Sequence, residues 1–315
     1  MIRTPLCDLL KIKHPIIQGG MAWVATPELV SAVSEAGGLG VLGAGNAPPD
    51  LVRQQVRSIK ELTDRPFGVN IAVFAVSAPD IVDICVEERV PVVTTGAGSP
   101  SAFMPALKEA GATVVPVIAS VALAKRLERM GADALIAEGT ESGGHIGDVA
   151  TLPLVPQVVD AVKVPVVAAG GIADGRGLVA ALALGAVGVQ MGTRFISTKE
   201  CTVHDHYKQM IVRAGDRATI TTGRTLGHPV RALRNPMTRK FEELEKVGLS
   251  EEELVEFGTG KLRRAAVDGD MNEGSFMAGQ SCGLVGDVAS VSELIESIIS
   301  EAEVLLKDLP GFVQA

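Results

Sequence analysis

The chain has 315 residues, a formal net charge of −8, 47% hydrophobic residues and only 3% aromatics. Its mean hydropathy is +0.30. That length suits one large domain or a barrel with a smaller appendage, and the acidic balance argues against a nucleic-acid binder. The longest uncharged apolar run, residues 177–189, has 13 residues, whereas a bilayer span needs about 20. The N-terminal Met-Ile-Arg-Thr-Pro-Leu-Cys-Asp shows no basic-then-apolar signal pattern. Cys7, Cys85, Cys201 and Cys282 are scattered without a Cys-x-x-Cys pair, so neither a zinc site nor a disulfide frame is indicated. The expectation is a cytoplasmic protein with no membrane partner.

Taken in chain order, apolar runs of β type recur at residues 15–19, 39–43, 67–73, 90–95, 113–119, 134–137, 164–169 and 187–191. Helical patterns fill the intervals at 27–36, 49–62, 79–88, 101–110, 122–130, 153–162 and 175–184, several opened by proline at the first-turn position it tolerates best. Strict alternation of short apolar strands with helices predicts a parallel sheet. Eight such units favour a closed α/β barrel of TIM type over an open doubly wound sheet. Residues 201–285 are more charged, nearly free of long apolar runs, and read as helices and loops. The expected organisation is a barrel over 1–200, a helical substrate or lid subdomain over its mouth at 201–285, and a C-terminal helix at about 286–315 returning to the flank left open after strand eight.

Two strand ends carry the clearest functional signal. Val166-Val167-Ala168-Ala169-Gly170-Gly171 and Val189-Gln190-Met191-Gly192-Thr193 are apolar runs that stop at glycine. As the seventh and eighth barrel strands, they bring backbone amides together where such barrels hold a phosphate. Glycine lets the bare backbone approach an anion and take positive φ. By contrast, Gly38-Leu39-Gly40-Val41-Leu42-Gly43 fits the dinucleotide fingerprint by spelling only. Its glycines end a helix and enter a strand, the reverse of the order that fingerprint needs, and C-capping by Gly37 and Gly38 explains them.

Other motifs fall at strand ends. Gln18-Gly19-Gly20-Met21-Ala22-Trp23 closes strand one, where glycines serve either loop geometry or close approach to a planar ring. Asn70 closes strand three, either as a buried strut or as a ligand contact. The stretch Glu138-Gly139-Thr140-Glu141-Ser142-Gly143-Gly144-His145-Ile146-Gly147 follows strand six. An imidazole there can serve as general acid or base near neutral pH, or merely brace the loop. His204 and His206 lack a third ligand at helpful spacing for a metal. Between residues 208 and 240, eight bases (Lys208, Arg213, Arg217, Arg224, Arg231, Arg234, Arg239, Lys240) face one acid, Asp216. They read either as a solvated face or as a dock for an anionic partner or a dinucleotide phosphate.

As a set, these motifs resemble the flavin-dependent enoyl-acyl-carrier-protein reductase II family (FabK type), a branch of the nitronate monooxygenase-like barrels. The resemblance runs through residues 17–25, 37–40, 66–70, 93–98, 137–139, 143–147 and 168–175, and beyond the barrel through 227–232 and 274–280. Gly-Gly-His-x-Gly and Ala-Gly-Gly-Ile are shared with nitronate monooxygenases, while the Gln-Gly-Gly-Met-Ala-Trp start and the downstream segments favour the reductase. Thr140 and Ser142 stand where Met and Ala are expected. The resemblance implies tightly bound FMN, with its phosphate on the amides of Gly170, Gly171, Gly192 and Thr193. It implies a ring against Gly20, Met21 and Ala22, polar contacts from Asn70, Glu138 and Gln190, and Gly143 and Met191 alongside. It further implies NADH or NADPH as transient co-substrate, an enoyl thioester borne by acyl carrier protein, a homodimer and a monovalent cation. His145 is then the group that steadies enolate charge and supplies or relays a proton. The alternatives are a nitronate monooxygenase on the same barrel and a flavin-free phosphate-binding barrel.

Overall fold

Strand polarity and side-chain alternation together build the architecture. The computed structural model describes residues 2–312; Met1 and the last three residues of the expected C-terminal helix lie outside them. The strands are β1 (Ile16–Gln18), β2 (Leu39–Gly43), β3 (Phe67–Ala72), β4 (Val92–Gly96), β5 (Thr113–Ile118), β6 (Leu135–Glu138), β7 (Gly144–His145), β8 (Val166–Ala169), β9 (Val189–Met191), β10 (Thr219–Thr222) and β11 (Val230–Leu233). All but β7, β10 and β11 form one closed parallel barrel, in which β9 returns to β1 with Ile17 beside Gln190. Each expected apolar run is one of these barrel strands.

The strands are apolar on both faces because both are buried. Ile17, Leu39, Val41, Val92, Val115, Ile136, Val167 and Ala169 fill the barrel interior together with Leu6, Cys7 and Leu10 of the N-terminal helix Pro5–Leu10. Their neighbours Ile16, Leu42, Val69, Val93, Val114, Leu135, Val166 and Val189 point outward into the larger core shared with the helices. Gly40 makes the helix–strand contact close: a Cβ there would lie 2.1 Å from the Val30 carbonyl oxygen. Gly37, at φ +90°, ends the helix Pro27–Glu35. This glycine cluster therefore serves capping and packing.

The long helix Val291–Asp308 opens with a capping box between Ser290 and Glu293 and packs against the helices Gly175–Ala183 and Pro27–Glu35. Gly175 permits that approach, since a Cβ would sit 2.6 Å from the Ala302 amide nitrogen. Glu301 Oε2 accepts from the Gly175 amide at 2.7 Å. The region 201–285 differs from its expected helix-and-loop character. It contains β10 and β11, which pair antiparallel and extend through β7 into a three-stranded sheet. Thr219-Ile220-Thr221-Thr222 and Val230-Arg231-Ala232-Leu233 are short and interrupted by polar residues, as strands outside a doubly covered core are. An apolar-run criterion passes over them. The helix Asp205–Val212 supports this layer: Tyr207 is fully buried, meets Phe276 edge-on at 4.9 Å, and donates its hydroxyl to the Met277 carbonyl at 2.6 Å.

Candidate active site at the barrel mouth

All barrel strands are parallel, so their C-terminal ends open on one face, and the predicted residues gather there. At the ends of β8 and β9, Gly170 and Gly171 take φ of +92° and +76°. Among the described residues, none of the amides of Gly170, Gly171, Gly192 and Thr193 donates to a backbone carbonyl or a side chain. Four uncommitted N–H groups at adjacent strand ends match the donor set an anion requires. The turn is held from beneath by Thr151, whose hydroxyl lies 2.9 Å from the Gly170 carbonyl oxygen, 3.1 Å from that of Ala169 and 2.9 Å from Glu141 Oε2. Glu141 also accepts from the Thr151 amide at 2.9 Å. Thr151 and Glu141 carry no signal in the sequence, because each acts through a partner distant along the chain.

The wall beside this floor comes from β1, β3 and β9. A Cβ on Gly20 would fall 2.2 Å from Asn70 Cβ, and one on Gly43 would meet the Met21 carbonyl at 2.3 Å. Glycine therefore lets the Gly20–Ala22 loop lie flat against its neighbours. Asn70 donates through Nδ2 to Thr94 Oγ1 at 2.9 Å, so it braces β3 on β4 while remaining half-buried at the mouth. Gln190 is buried, with its side chain packed on Gly19. Met191 is buried and its carbonyl accepts from the Gly19 amide at 3.0 Å. A Cβ on Gly192 would lie 3.3 Å from Met21 Sδ, so the β1 and β9 loops stand side by side.

His145 stands on the opposite rim. Its strand β7 pairs with β11, His145 beside Val230 and Gly144 beside Arg231, and the Ile146 amide donates to the Pro229 carbonyl at 3.0 Å. The ring is exposed and lies 5.6 Å from that of Phe74. Although part of the residue meets solvent, desolvation by the surrounding protein, then the nearby His228, lowers its pKa from the usual 6.5 and favours the neutral ring. The buried Arg231 fixes this rim, donating from Nε and Nη2 to the Thr140 carbonyl at 3.2 and 3.0 Å. Burial, then Arg224, draws its guanidinium below its ordinary range, while Glu141 pulls the other way. Glu138 closes β6 in the mouth, half-buried, and burial pushes its carboxyl up to about 7.

One segment ties rim to floor. Gly143 abuts Ala278, where a Cβ would meet its carbonyl carbon at 2.7 Å. The Gln280 amide donates to the Glu141 carbonyl at 2.8 Å, and the Gly279 amide to Thr193 Oγ1 at 2.8 Å. The remaining histidine pair lies apart from this constellation: His204 packs on Gly269, whose carbonyl lies 2.9 Å from His206 Nδ1.

Comparison with known proteins follows the same outline. FabK from Thermotoga maritima is 52% identical, with a TM-score of 0.97 over 99% of this chain and 100% of that one. A curated (3aS,4S,5R,7aS)-5-hydroxy-7a-methyl-1-oxo-octahydro-1H-indene-4-carboxyl-CoA dehydrogenase of Mycobacterium tuberculosis is 38% identical, covering 99% of both chains. A probable nitronate monooxygenase of Staphylococcus saprophyticus is 34% identical over 97% of this chain and 99% of its own. The family model described as nitronate monooxygenase matches residues 3–83 and 72–301. This chain belongs to the nitronate monooxygenase family.

Proposed function

We propose that this protein is an FMN-dependent enoyl-acyl-carrier-protein reductase, which reduces the 2,3 double bond of enoyl thioesters at the expense of NADH or NADPH, the last step of the fatty-acid elongation cycle. The observation that carries this reading is the 52% identity with FabK along both full chains. It is supported by a barrel mouth whose donors fit a flavin nucleotide: uncommitted amides at two adjacent glycine turns and a flat loop at Gly20. FMN, when bound, supplies the redox centre that lets one site serve nicotinamide and thioester in turn.

The chain's own residues do the rest. The amides of Gly170, Gly171, Gly192 and Thr193 would hold the phosphate of FMN. Gly20, Met21 and Ala22 would bound its ring system, Asn70, Glu138 and Gln190 would supply polar contacts, and Gly143 and Met191 would lie alongside. Glu138, with its raised pKa, can donate as well as accept a hydrogen bond near neutrality. In the net reaction the β-carbon gains hydride, the α-carbon gains a proton, and the nicotinamide leaves oxidised. His145, exposed at the rim, steadies the negative charge that develops on the thioester oxygen and supplies or relays that proton, a contribution of roughly 10²–10⁴-fold. Residues 201–285 act as the lid, and within them β11 orients His145 by pairing with its strand.

A second reading, nitronate monooxygenase, draws on the 34% identical relative of that name. An anaerobic absorbance spectrum separates the two. The reductase reading expects a yellow protein that bleaches with NADH or NADPH and recolours on addition of crotonyl thioester. A protein that ignores both nicotinamides and bleaches with a nitronate overturns it.

A further inference from the structure

The basic segment is the one strong sequence feature that the site leaves unused, and the structure divides it. Lys208 and Arg231 are buried. Arg224 faces Asp148 at 3.9 Å, and Lys240 faces Glu243 at 3.5 Å. Arg213, Arg217 and Arg234 are exposed, and among the described residues they form no ion pair. They converge in space: Arg234 Nε donates to the Arg217 carbonyl at 3.3 Å. Arg213 and Arg234 both line a depression of about 390 Å³ that also takes in His206, Met210, Leu233 and Met271 and contains no carboxylate. Met271 is 45% exposed. The result is an apolar floor with a cationic rim on an acidic protein.

Position ties this patch to the chemistry. Strand β11 begins beside His145, through the pair Val230 and His145, and ends at Leu233 in the wall of the depression. Arg234 lies four residue steps from Val230, about 13 Å of extended chain. A carrier protein seated at Arg234 therefore lies within reach of the mouth for a thioester on a flexible prosthetic arm.

We propose that Arg213, Arg217 and Arg234, around the Met210–Met271 depression, are the docking surface for the acidic carrier protein that delivers the enoyl thioester. The inference rests on the reductase reading and deepens it. Charge complementarity selects an acidic partner and accelerates encounter, and the apolar floor gives that partner something to bury. The dock acts on delivery alone, so a thioester that arrives free in solution bypasses it.

The test compares crotonyl-acyl-carrier-protein with crotonyl-pantetheine, which lacks the carrier, for the holoenzyme and two triple variants. One is R213E/R217E/R234E and the other, keeping the charge, is R213K/R217K/R234K. Charge reversal is expected to lower kcat/KM for the carrier-borne substrate about tenfold or more at low salt and to leave crotonyl-pantetheine unchanged. The lysine variant keeps most of the activity, and wild-type turnover of the carrier substrate falls as salt shortens the screening length to about 8 Å at 0.15 M. An unchanged kcat/KM for the carrier substrate, or an equal loss on both substrates, overturns the dock. So does a rise confined to the KM for NADPH, which assigns the arginines to a dinucleotide phosphate. If the wild-type holoenzyme reduces neither thioester, the reductase reading falls, and the dock with it.

Discussion

The floor around Gly170 and Gly192 and the rim around His145 belong to one mouth, yet they are held in opposite ways. The floor is backbone. Its donors are amides at the ends of buried strands, and its conformation is set by positive φ at Gly170 and Gly171 and by Thr151 and Glu141 beneath. The rim is a two-residue strand that exists because β11 pairs with it and Arg231 grips the Thr140 carbonyl. The segment around Gly279 couples them through Thr193 and Glu141. Tight anion binding calls for donors that do not move, whereas proton delivery calls for an exposed imidazole on an element that admits successive substrates. On the proposed reading, the difference gives binding to the barrel floor and turnover to the rim built by β7 and β11.

The sharpest way to break that assignment is at Gly170. A side chain there must adopt φ +92°, and its Cβ would lie 2.9 Å from the Gly139 carbonyl oxygen and 3.0 Å from Thr151 Oγ1. The left-handed conformation alone costs a non-glycine residue roughly 1–2 kcal/mol, and relief of the clash moves the amides. Gly170→Val is expected to lower FMN affinity by at least about 100-fold, near the 2.7 kcal/mol that such a factor represents. Titration of the apoprotein by flavin fluorescence quenching measures it, with circular dichroism reporting the fold. Undiminished affinity would remove the phosphate from this floor.

His145→Ala makes the complementary cut. The ring is exposed, so its removal is expected to leave the fold and the flavin in place while crotonyl-thioester reduction falls roughly 10²–10⁴-fold. Because its pKa lies below 6.5, the wild-type rate should be level through neutrality and change only on the acid side of the ordinary histidine range. Single-turnover reoxidation by the thioester gives both readouts. Full activity with bound flavin would sink the role.

The same contrast explains what the sequence discloses. Barrel strands such as 113–118 and 166–169 bury nearly all of both faces, so each is written as a largely apolar run, and the glycines that end β8 and β9 mark the uncommitted amides proposed to hold a phosphate. His145 is legible because an imidazole among glycines is chemically conspicuous. Strands β10 and β11 are not legible: Thr219–Thr222 and Val230–Leu233 owe their conformation to pairing across the chain. In the sequence Arg231 reads as one member of a solvated or docking series, and only its burial and its bond to Thr140 reveal a clamp. Thr151 is hidden similarly, because its three acceptors lie 10 to 19 residues away. Local composition encodes elements with their own driving force and omits those that borrow it.

Glu138 stands between floor and rim, and its ionisation offers the smallest and most specific test. Burial raises its pKa from 4.5 to about 7, so between these values the folded protein holds a proton that the unfolded chain has released. Stability from this group is therefore intact below about pH 4.5, declines as pH rises towards 7, and is level above. A shift of that size corresponds to at most roughly 3 kcal/mol. Glu138→Gln keeps the neutral shape and removes the titration. In the apoprotein, the melting temperature of the variant relative to wild type should be lowest near pH 4.5, climb to about pH 7 and then hold. A stability difference independent of pH would mean that water reaches the carboxylate freely, and that burial at the end of β6 does not hold its proton.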